Sequence, residues 1–410
     1  MAKLTPWENW NKALGAPKTV LAPMVDGSEL AFRLLCKKYG CDLGYSPMYH
    51  SGLFSKLQGY REANFQTCTE DDPMIVQFCG NDPETIVRAS RFIDDKVKGI
   101  DINFGCPQNI AKRGNYGAFL LSNPDLMERI ISVVSESDLR CPVSCKIRLL
   151  DNRDLQPTVN LIKRLESAGA CMIAVHGRTM TSRGVLTGPS NWEALKILKS
   201  RCSIPFIANG GISTYEDIKK CLEYTGADAV MSAEGILENP WLFQGFKTPE
   251  MVNRKPSQFK IASEYLEYCT DYPPPNVGII RTHLYRIFHT IFNLPGAHVF
   301  RDEINNSHEL HEFQSFVRNL RCFYDSKLSG DLKSYPGNIP QFGFWYIRHR
   351  HDKLDHNVTK ELVSIYNYQQ CKLPCILQFN ESEITSVNNS NNLEIQSSNE
   401  ILNLFSLEDS

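Results

Sequence analysis

Eight short apolar runs, rich in β-branched residues, alternate with helical patterns from Thr19 to about residue 246. The runs end near Met24, Ser46, Phe78, Phe104, Ile147, Val175, Ala208 and Ser232. This alternation is typical of parallel strands joined by helices. No G-x-G-x-x-G motif follows the first run, which counts against a doubly wound dinucleotide fold. We therefore predict an α/β chain built on a (β/α)8 TIM barrel, a fold of about 250 residues.

Two helix starts support this assignment. Asn123 is an N-cap residue, and Pro124 follows it at the first helical position. Ser213 and Glu216 have the spacing of a capping box, which predicts a helix that ends at Gly226.

A polar stretch near residues 248–256 ends the alternation, and helical periodicity returns over 259–270 and 277–292. This region concentrates basic and aromatic side chains: Arg281, His283, Tyr285, Arg286, His289, Phe344, Trp345, Tyr346, Arg348, His349, Arg350 and His351. Such a mixture suits binding to phosphates and bases, although a solvated helix face beside core aromatics has the same composition. We predict three regions: a barrel domain over 1–248, an all-helical domain over 249–356, and a mostly disordered tail over 357–410.

The formal net charge of −2 averages two unequal parts of the chain. Residues 381–410 contain six acids and no Lys or Arg, so −2 minus −6 leaves +4 for residues 1–380. Their Asn- and Ser-rich composition favours disorder. A body at +4 predicts a local basic groove rather than a uniformly basic surface.

The 14 cysteines are scattered through the chain, and no His-rich cluster accompanies the closest Cys pairs. Disulfide frameworks belong to short secreted chains, so we predict reduced thiols and no metal site. No apolar run reaches about 18 residues, and the N-terminus lacks a signal peptide, so no membrane association is expected. We expect a cytoplasmic monomer, with a nuclear share left open.

Polar residues recur where the predicted strands end. They are Gln77, Asn103, Cys106, Lys146, His176, Asn209 and Glu234. The carboxyl ends of barrel strands form the active face of this fold, and isolated buried polar groups would be costly. Recurrence at equivalent places therefore predicts one site, in which Lys146 and His176 face a planar electron-accepting ring and Gln77 bonds its polar edge.

Two glycine-containing segments suit phosphate, because their backbone N–H groups can approach an anion. Asn209-Gly210-Gly211 follows the seventh run, and Ala233-Glu234-Gly235 follows the eighth. Loops after strands seven and eight are the usual phosphate site of TIM barrels. A carboxylate repels phosphate, so we expect the backbone of Glu234, rather than its side chain, to take part.

Cys106 lies between Gly105 and Pro107, directly after the fourth run. These neighbours favour a turn that presents the thiol at the barrel mouth. A free thiol with a pKa of about 8.5 is protonated at neutral pH and can act as a general acid. Nucleophile and metal ligand remain open as alternative roles.

Several segments together closely resemble the tRNA-dihydrouridine synthases. They are Ala22-Pro-Met-Val-Asp26 with Phe32-Arg33, Asp101-Ile-Asn-Phe-Gly-Cys-Pro107, Lys146-Ile-Arg148, Val175-His-Gly-Arg-Thr179, Ala208-Asn-Gly210 and Asn239-Pro-Trp-Leu-Phe243. Within the family, residues 108–118 and 231–235 resemble the eukaryotic branch that modifies positions 16 and 17 of the D-loop.

The resemblance implies a barrel that binds FMN, a helical domain that grips tRNA, and NADPH or NADH as reductant. Hydride would pass from flavin N5 to C6 of a flipped-out uridine, and Cys106 would protonate C5. The cofactor-binding residues would be Pro23, Met24, Val25, Gln77, Lys146, His176, Asn209, Gly210, Gly211, Ala233 and Glu234. The substrate contacts would be Asn103, Lys112, Arg113, Arg148 and Arg178.

Two positions depart from the family pattern. Gly211 stands where many relatives have Asp, and Ala233-Glu234 stands where many bacterial relatives have Gly-Arg. The phosphate would then rely on backbone donors or on a basic residue elsewhere. Two other functions fit parts of the pattern: an FMN oxidoreductase of a free small molecule, similar to dihydroorotate dehydrogenase, and an RNA-binding protein with a decayed active site.

Overall fold

The computed structural model of the chain describes residues 4–182, 188–250, 256–294 and 296–329. It contains eight strands: β1 Thr19–Leu21, β2 Gly44–His50, β3 Met74–Cys79, β4 Gly99–Phe104, β5 Val143–Leu149, β6 Ile173–Thr179, β7 Phe206–Asn209 and β8 Ala229–Ser232. The predicted acidic tail (357–410) and the basic–aromatic residues 344–351 lie outside the described residues.

Helices follow the strands and continue after the last one. They are α1 Pro6–Glu8, α2 Leu30–Lys38, α3 Ser51–Lys56, α4 Gln58–Asn64, α5 Pro83–Ser90, α6 Asn109–Arg113, α7 Pro124–Glu136, α8 Gln156–Ser167, α9 Trp192–Arg201, α10 Tyr215–Thr225, α11 Glu234–Glu238, α12 Leu242–Lys247, α13 Gln258–Asp271, α14 Val277–Ile287, α15 Val299–Asn305 and α16 Leu310–Ser329. Within the described ranges, no helix has the length and apolar character needed to cross a membrane.

The strands form one parallel sheet in the order β1-β8-β7-β6-β5-β4-β3-β2. A parallel bridge between Val20 and Leu43 joins β1 to the chain just before β2, so the sheet curls into a barrel. The predicted TIM barrel is confirmed. Three strand ends differ from the prediction by three residues or more: β1 stops at Leu21, β2 runs past Ser46 to His50, and β6 runs past Val175 to Thr179. The register is irregular where β2 and β6 pair with their neighbours β3 and β5.

Helix capping follows the sequence closely. The side chain of Asn123 accepts a hydrogen bond from the N–H of Leu126, as predicted for an N-cap. The predicted capping box of α10 is wrong by one residue, because Thr214 and Asp217 form it. Gly226 ends that helix in the left-handed conformation, as expected.

The barrel and the later helices share a continuous hydrophobic core. Helix α13 packs against α2, and α14 packs against α11. The interior of the barrel holds a second cluster that includes Val20, Ile75 and Ile207, and Trp10 from the N-terminal segment packs into it. The helices after residue 256 therefore form a layer attached directly to the barrel. The predicted domain boundary at 248/249 stays a prediction.

Candidate active site

The predicted strand-end residues lie in neighbouring positions of the sheet. Asn103 on β4 pairs in register with Lys146 on β5. Arg148 on β5 pairs with His176 on β6, which pairs with Asn209 on β7. Because parallel strands end at the same rim, this register brings five of the predicted polar residues to one face of the barrel.

Buried hydrogen bonds connect β3, β4 and β5 beneath this rim. Ser144 Oγ donates to Asp101 Oδ1 at 2.7 Å, and Gln77 Nε2 donates to Asp101 Oδ2 at 2.8 Å. Asn103 Nδ2 then donates to Gln77 Oε1 at 2.8 Å. We call the bonded series from Asp101 through Gln77 and Asn103 the Asp101 chain. Asp101 is not among the predicted site residues, although it shares a strand face with Asn103 two residues later.

The Asp101 chain ends at the Cys106 turn. Asn103 Oδ1 accepts hydrogen bonds from the N–H of Gly105 at 3.1 Å and of Cys106 at 2.9 Å. The carbonyl of Cys106 accepts from the N–H of Ala118 at 2.9 Å. The side chain of Cys106 is half-buried and packs against a small cluster that includes Tyr116. Both sides of the turn are thus fixed, and the thiol retains access to solvent.

Lys146 is the strand-end cation that pairs in register with Asn103. Burial and the positive charge of Arg148 lower the pKa of Lys146 to about 8, although Asp101 opposes the shift. Its ammonium group has no hydrogen bond or ion pair with the described residues. A half-buried ammonium of this kind can stabilise negative charge on a bound group.

His176 and Arg178 form a contact on β6. Arg178 Nη1 lies 3.0 Å from His176 Nε2. Since a guanidinium only donates, Nε2 of His176 must accept, so the imidazole is neutral with its proton on Nδ1. Burial, together with the charges of Arg148, Lys146 and Arg178, lowers the pKa of His176, which agrees with this assignment.

A cavity opens between the ends of β6, β7 and β8. It is lined by His176, Arg178, Asn209, Gly210, Gly211, Ile212, Ser213, Ala233, Glu234 and Gly235. Gly210 has a φ of +107°, and a Cβ there would lie 2.6 Å from Ser190 Oγ. The basic residue that could bind a phosphate here was not identifiable from the sequence. Arg178, predicted as a substrate contact, lines this cavity and could bind an anion beside the backbone N–H groups.

The remaining predicted residues occupy three different settings. Arg148 connects the Cys106 turn to the end of β6, since its guanidinium donates to the carbonyls of Gly105 at 2.8 Å and Thr179 at 2.9 Å. Lys112 and Arg113 on α6 are exposed, and neither side chain makes a hydrogen bond or ion pair with a described residue. The predicted flavin-side residues Pro23, Met24 and Val25 form the loop after β1, with Val25 55% exposed.

Part of the basic–aromatic region is used in packing and hydrogen bonding within the helical layer. His283 is completely buried, and Arg281 donates to the carbonyls of Ile304 and Ser307. The hydroxyl of Tyr285 can donate to Oδ1 of Asn305 at 3.0 Å or to the carbonyl of Arg301 at 3.2 Å. His283, Arg281 and Tyr285 therefore stabilise the helical layer. Their composition reflects packing rather than binding to phosphates and bases. Across the described ranges, no group of three or more His, Cys, Asp or Glu is placed to hold a metal ion.

The sequence profile of the dihydrouridine synthases matches residues 20–327. The chain belongs to the dihydrouridine synthase family. A rat protein named tRNA-dihydrouridine(16/17) synthase (NAD(P)(+))-like is 43% identical over 346 residues, which are 83% of this chain and 76% of the rat chain. The tRNA-dihydrouridine(16/17) synthase (NAD(P)(+)) of Saccharomyces cerevisiae is 40% identical over 294 residues, which are 70% of this chain and 69% of the yeast chain.

A second group of family members shares less of the chain. The human protein named tRNA-dihydrouridine(20a/20b) synthase (NAD(P)+)-like is 42% identical, but over 231 residues, which are 56% of this chain and 71% of the human chain. The rat match therefore includes more than 100 residues that the human match lacks.

Proposed function

We propose that this member of the dihydrouridine synthase family reduces uridine to 5,6-dihydrouridine in the D-loop of tRNA, at position 16, position 17 or both. The observation that carries the proposal is the Cys106 turn, whose two N–H groups bond to Asn103 beside Lys146. The turn would present the thiol at the barrel mouth. The names of the rat and yeast relatives support tRNA and the two positions.

The site fits FMN as its prosthetic group. Gly210 and Gly211 both have positive φ, and a Cβ at either position would press against neighbouring side chains. Because neither residue has a side chain, their backbone N–H groups can approach a phosphate closely. Arg178 supplies a cation in the same cavity, and Lys146 supplies one near the rim. Bound FMN, reduced by NADPH or NADH, would supply the hydride that adds to C6 of the uracil.

The chain itself would supply the proton and the contacts to the base. The thiol of Cys106 would transfer its proton to C5 as the ring becomes saturated. Asn103 uses one amide hydrogen in its bond to Gln77, which leaves the second for a uracil carbonyl. Lys146 would stabilise negative charge that develops nearby during the transfer.

The target base must leave the D-loop stack to reach Cys106, because a stacked uridine cannot enter the barrel mouth. Lys112 and Arg113 are exposed on the helix that follows the Cys106 turn, so they are placed to contact the backbone phosphates of the tRNA. The net charge of +4 for residues 1–380 fits such a local contact.

The decisive experiment supplies the purified protein with NADPH and tRNA from cells that lack the gene, and maps dihydrouridine by position. We expect it at position 16, position 17 or both. Its absence from every position would overturn the proposal. Oxidation of NADPH with dihydroorotate or another small unsaturated substrate, but not with tRNA, would favour the alternative of a small-molecule oxidoreductase.

A further inference from the structure

The Asp101 chain has a single donor–acceptor direction. Gln77 turns its amide nitrogen toward Asp101, so its oxygen faces Asn103. Asn103 must then present its nitrogen to Gln77, and its oxygen is left for the N–H groups of the Cys106 turn. A reversal at any link would place two donors or two acceptors against each other further along.

Neither amide side chain fixes this direction by itself, because each can turn over and exchange its oxygen and nitrogen. Asp101 can, because an ionised carboxylate only accepts hydrogen bonds. It is fully buried between Gln77 on β3 and Ser144 on β5, and each of these neighbours donates to a different carboxylate oxygen. Asp101 therefore fixes the direction at the buried end of the chain, and the N–H groups of Gly105 and Cys106, which only donate, match it at the other end.

The charged form of Asp101 prevails at neutral pH. Burial raises its pKa to about 6, while the hydrogen bonds from Gln77 and Ser144 and the charge of Lys146 limit the rise. Three other titratable groups near Asp101 are Tyr45 on β2, Cys145 on β5 and Cys171 before β6, and burial raises the pKa of each. They remain neutral, so Lys146 is the charged neighbour among these groups.

We propose that Asp101 is a positioning residue, whose carboxylate anchors the Asp101 chain in this direction and thereby holds the Cys106 turn in its working geometry. The functional part of the proposal rests on the proposed role of Cys106. Without an acceptor at position 101, the amide of Gln77 loses its buried partner, and Asn103 is no longer held from behind against the N–H groups of Gly105 and Cys106. A misplacement of about 1 Å at a reacting group can lower a rate by about 100-fold.

Two substitutions of similar size test whether Asp101 acts by accepting the hydrogen bond from Gln77. Asp101→Leu removes the acceptor. Asp101→Asn retains it, because the amide oxygen can face Gln77 while the nitrogen faces Ser144, whose hydroxyl can then donate to the carbonyl of Ile100 at 3.4 Å. We expect kcat for tRNA to fall about 10- to 100-fold in Asp101→Leu and by less than about threefold in Asp101→Asn.

A readout independent of turnover is amide hydrogen exchange at Gly105 and Cys106, measured on the full-length flavin-loaded protein at pH 7.5. We expect faster exchange in Asp101→Leu at these two N–H groups, and wild-type exchange in Asp101→Asn. Ser144→Ala is the matched control, since it removes the other buried bond of Asp101 and leaves Gln77 untouched. It should keep the exchange rates at the turn and kcat within about twofold of wild type.

Should Asp101→Leu fail to fold, Gln77→Met breaks the same chain one link later, and exchange at Gly105 and Cys106 should again become faster. Unchanged exchange in every variant that breaks the chain would overturn the proposal. Equal impairment of kcat in Asp101→Asn and Asp101→Leu, or a loss in Ser144→Ala as large as that in Asp101→Leu, would also overturn it. The exchange arm needs no tRNA, so it remains decisive even if wild-type protein forms no dihydrouridine.

Discussion

The carboxylate of Glu29 lies 3.0 Å from Nε2 of His283, across the contact between the barrel and its helical layer. Glu29 precedes α2 directly, and His283 lies on α14. The hydroxyl of Tyr265 on α13 donates to the other carboxylate oxygen at 2.8 Å. All three side chains are buried, and the ring of Phe32 on α2 stacks on His283.

Removal of this carboxylate should destabilise the protein strongly, because it leaves His283 and Tyr265 buried without their acceptor. We expect Glu29→Ala to lower the free energy of unfolding by about 3–5 kcal/mol in urea denaturation. Lys219→Ala is the control, because its pair with Glu223 is exposed on both sides. Equal losses in the two variants would contradict the importance of the buried pair.

The contribution of Glu29 should also depend on pH. Burial pushes its pKa up, but the charge and hydrogen bond of His283 and the bond from Tyr265 outweigh this and hold the pKa below its usual value. Its stabilising effect is then complete above about pH 4.5 and disappears as the pH falls through the lower folded value. The stability difference between wild type and Glu29→Gln, measured from pH 7 down to pH 3, should therefore shrink.

Cys106→Ala should bind flavin normally but lose turnover on tRNA, because only the proposed proton donor is removed. We expect a fall of about 100- to 10,000-fold in kcat, with the yellow flavin absorbance unchanged. Cys68→Ala, which changes another half-buried thiol, serves as the control and should remain active. Full activity of Cys106→Ala would exclude the thiol as the acid.

Gly210→Ala should impair flavin binding, since the new methyl group would meet Ser190 and His176 at 2.6 and 2.9 Å. Gly226→Ala is the matched control, because its φ is also positive but no atom lies within 4 Å of the place that its new methyl group would take at the end of α10. Backbone strain costs each variant about 1–2 kcal/mol. The flavin-to-protein absorbance ratio should fall only in Gly210→Ala; an equal fall in both would point to strain alone.

Arg178→Met should weaken the binding of FMN but not of riboflavin, if its guanidinium serves the phosphate. A charge-assisted hydrogen bond contributes about 1.5–3 kcal/mol, roughly 10- to 100-fold in Kd. Titration of the apoprotein with each flavin measures this difference. Arg113→Met provides the opposite control: it should leave both flavin affinities intact and reduce the salt dependence of tRNA binding by about one phosphate contact. Equal weakening of FMN and riboflavin would argue against a phosphate contact.

Activity should fall above about pH 8 as Lys146 loses its proton, because burial and Arg148 lower its pKa to about that value. Lys146→Arg keeps the charge at higher pH, so the alkaline limb of kcat/KM should move upward in that variant. An alkaline limb that stays in place would assign the titration to another group.

Local patterns predicted the barrel well, because each βα unit carries its own signals. The ends of β4 at Phe104 and of β8 at Ser232 agree with the sequence. The shift of the α10 cap from Ser213 to Thr214 shows the limit, since adjacent hydroxyl residues offer the backbone equivalent acceptors.

Long-range contacts account for most of what the sequence did not predict. Glu29 and His283 are separated by 254 residues, so neither periodicity nor spacing could pair them. Arg178 lines the cavity between β6 and β8 because the barrel brings three strand ends together. Asp101 could have been predicted from the sequence, since the strand alternation places it on the same face as Asn103.

The Glu29 contact makes the catalytic barrel a poor candidate for transplantation. A chain cut at residue 248 would lose Tyr265 and His283 together, and would leave an unpaired carboxylate and the ring of Phe32 facing water. Because the loop of residues 23–25 lies a few positions before Glu29, the same cut would also loosen this loop, which we predict to lie along the flavin. A minimal enzyme derived from this protein would therefore have to keep the helical layer or rebuild the surface it covers.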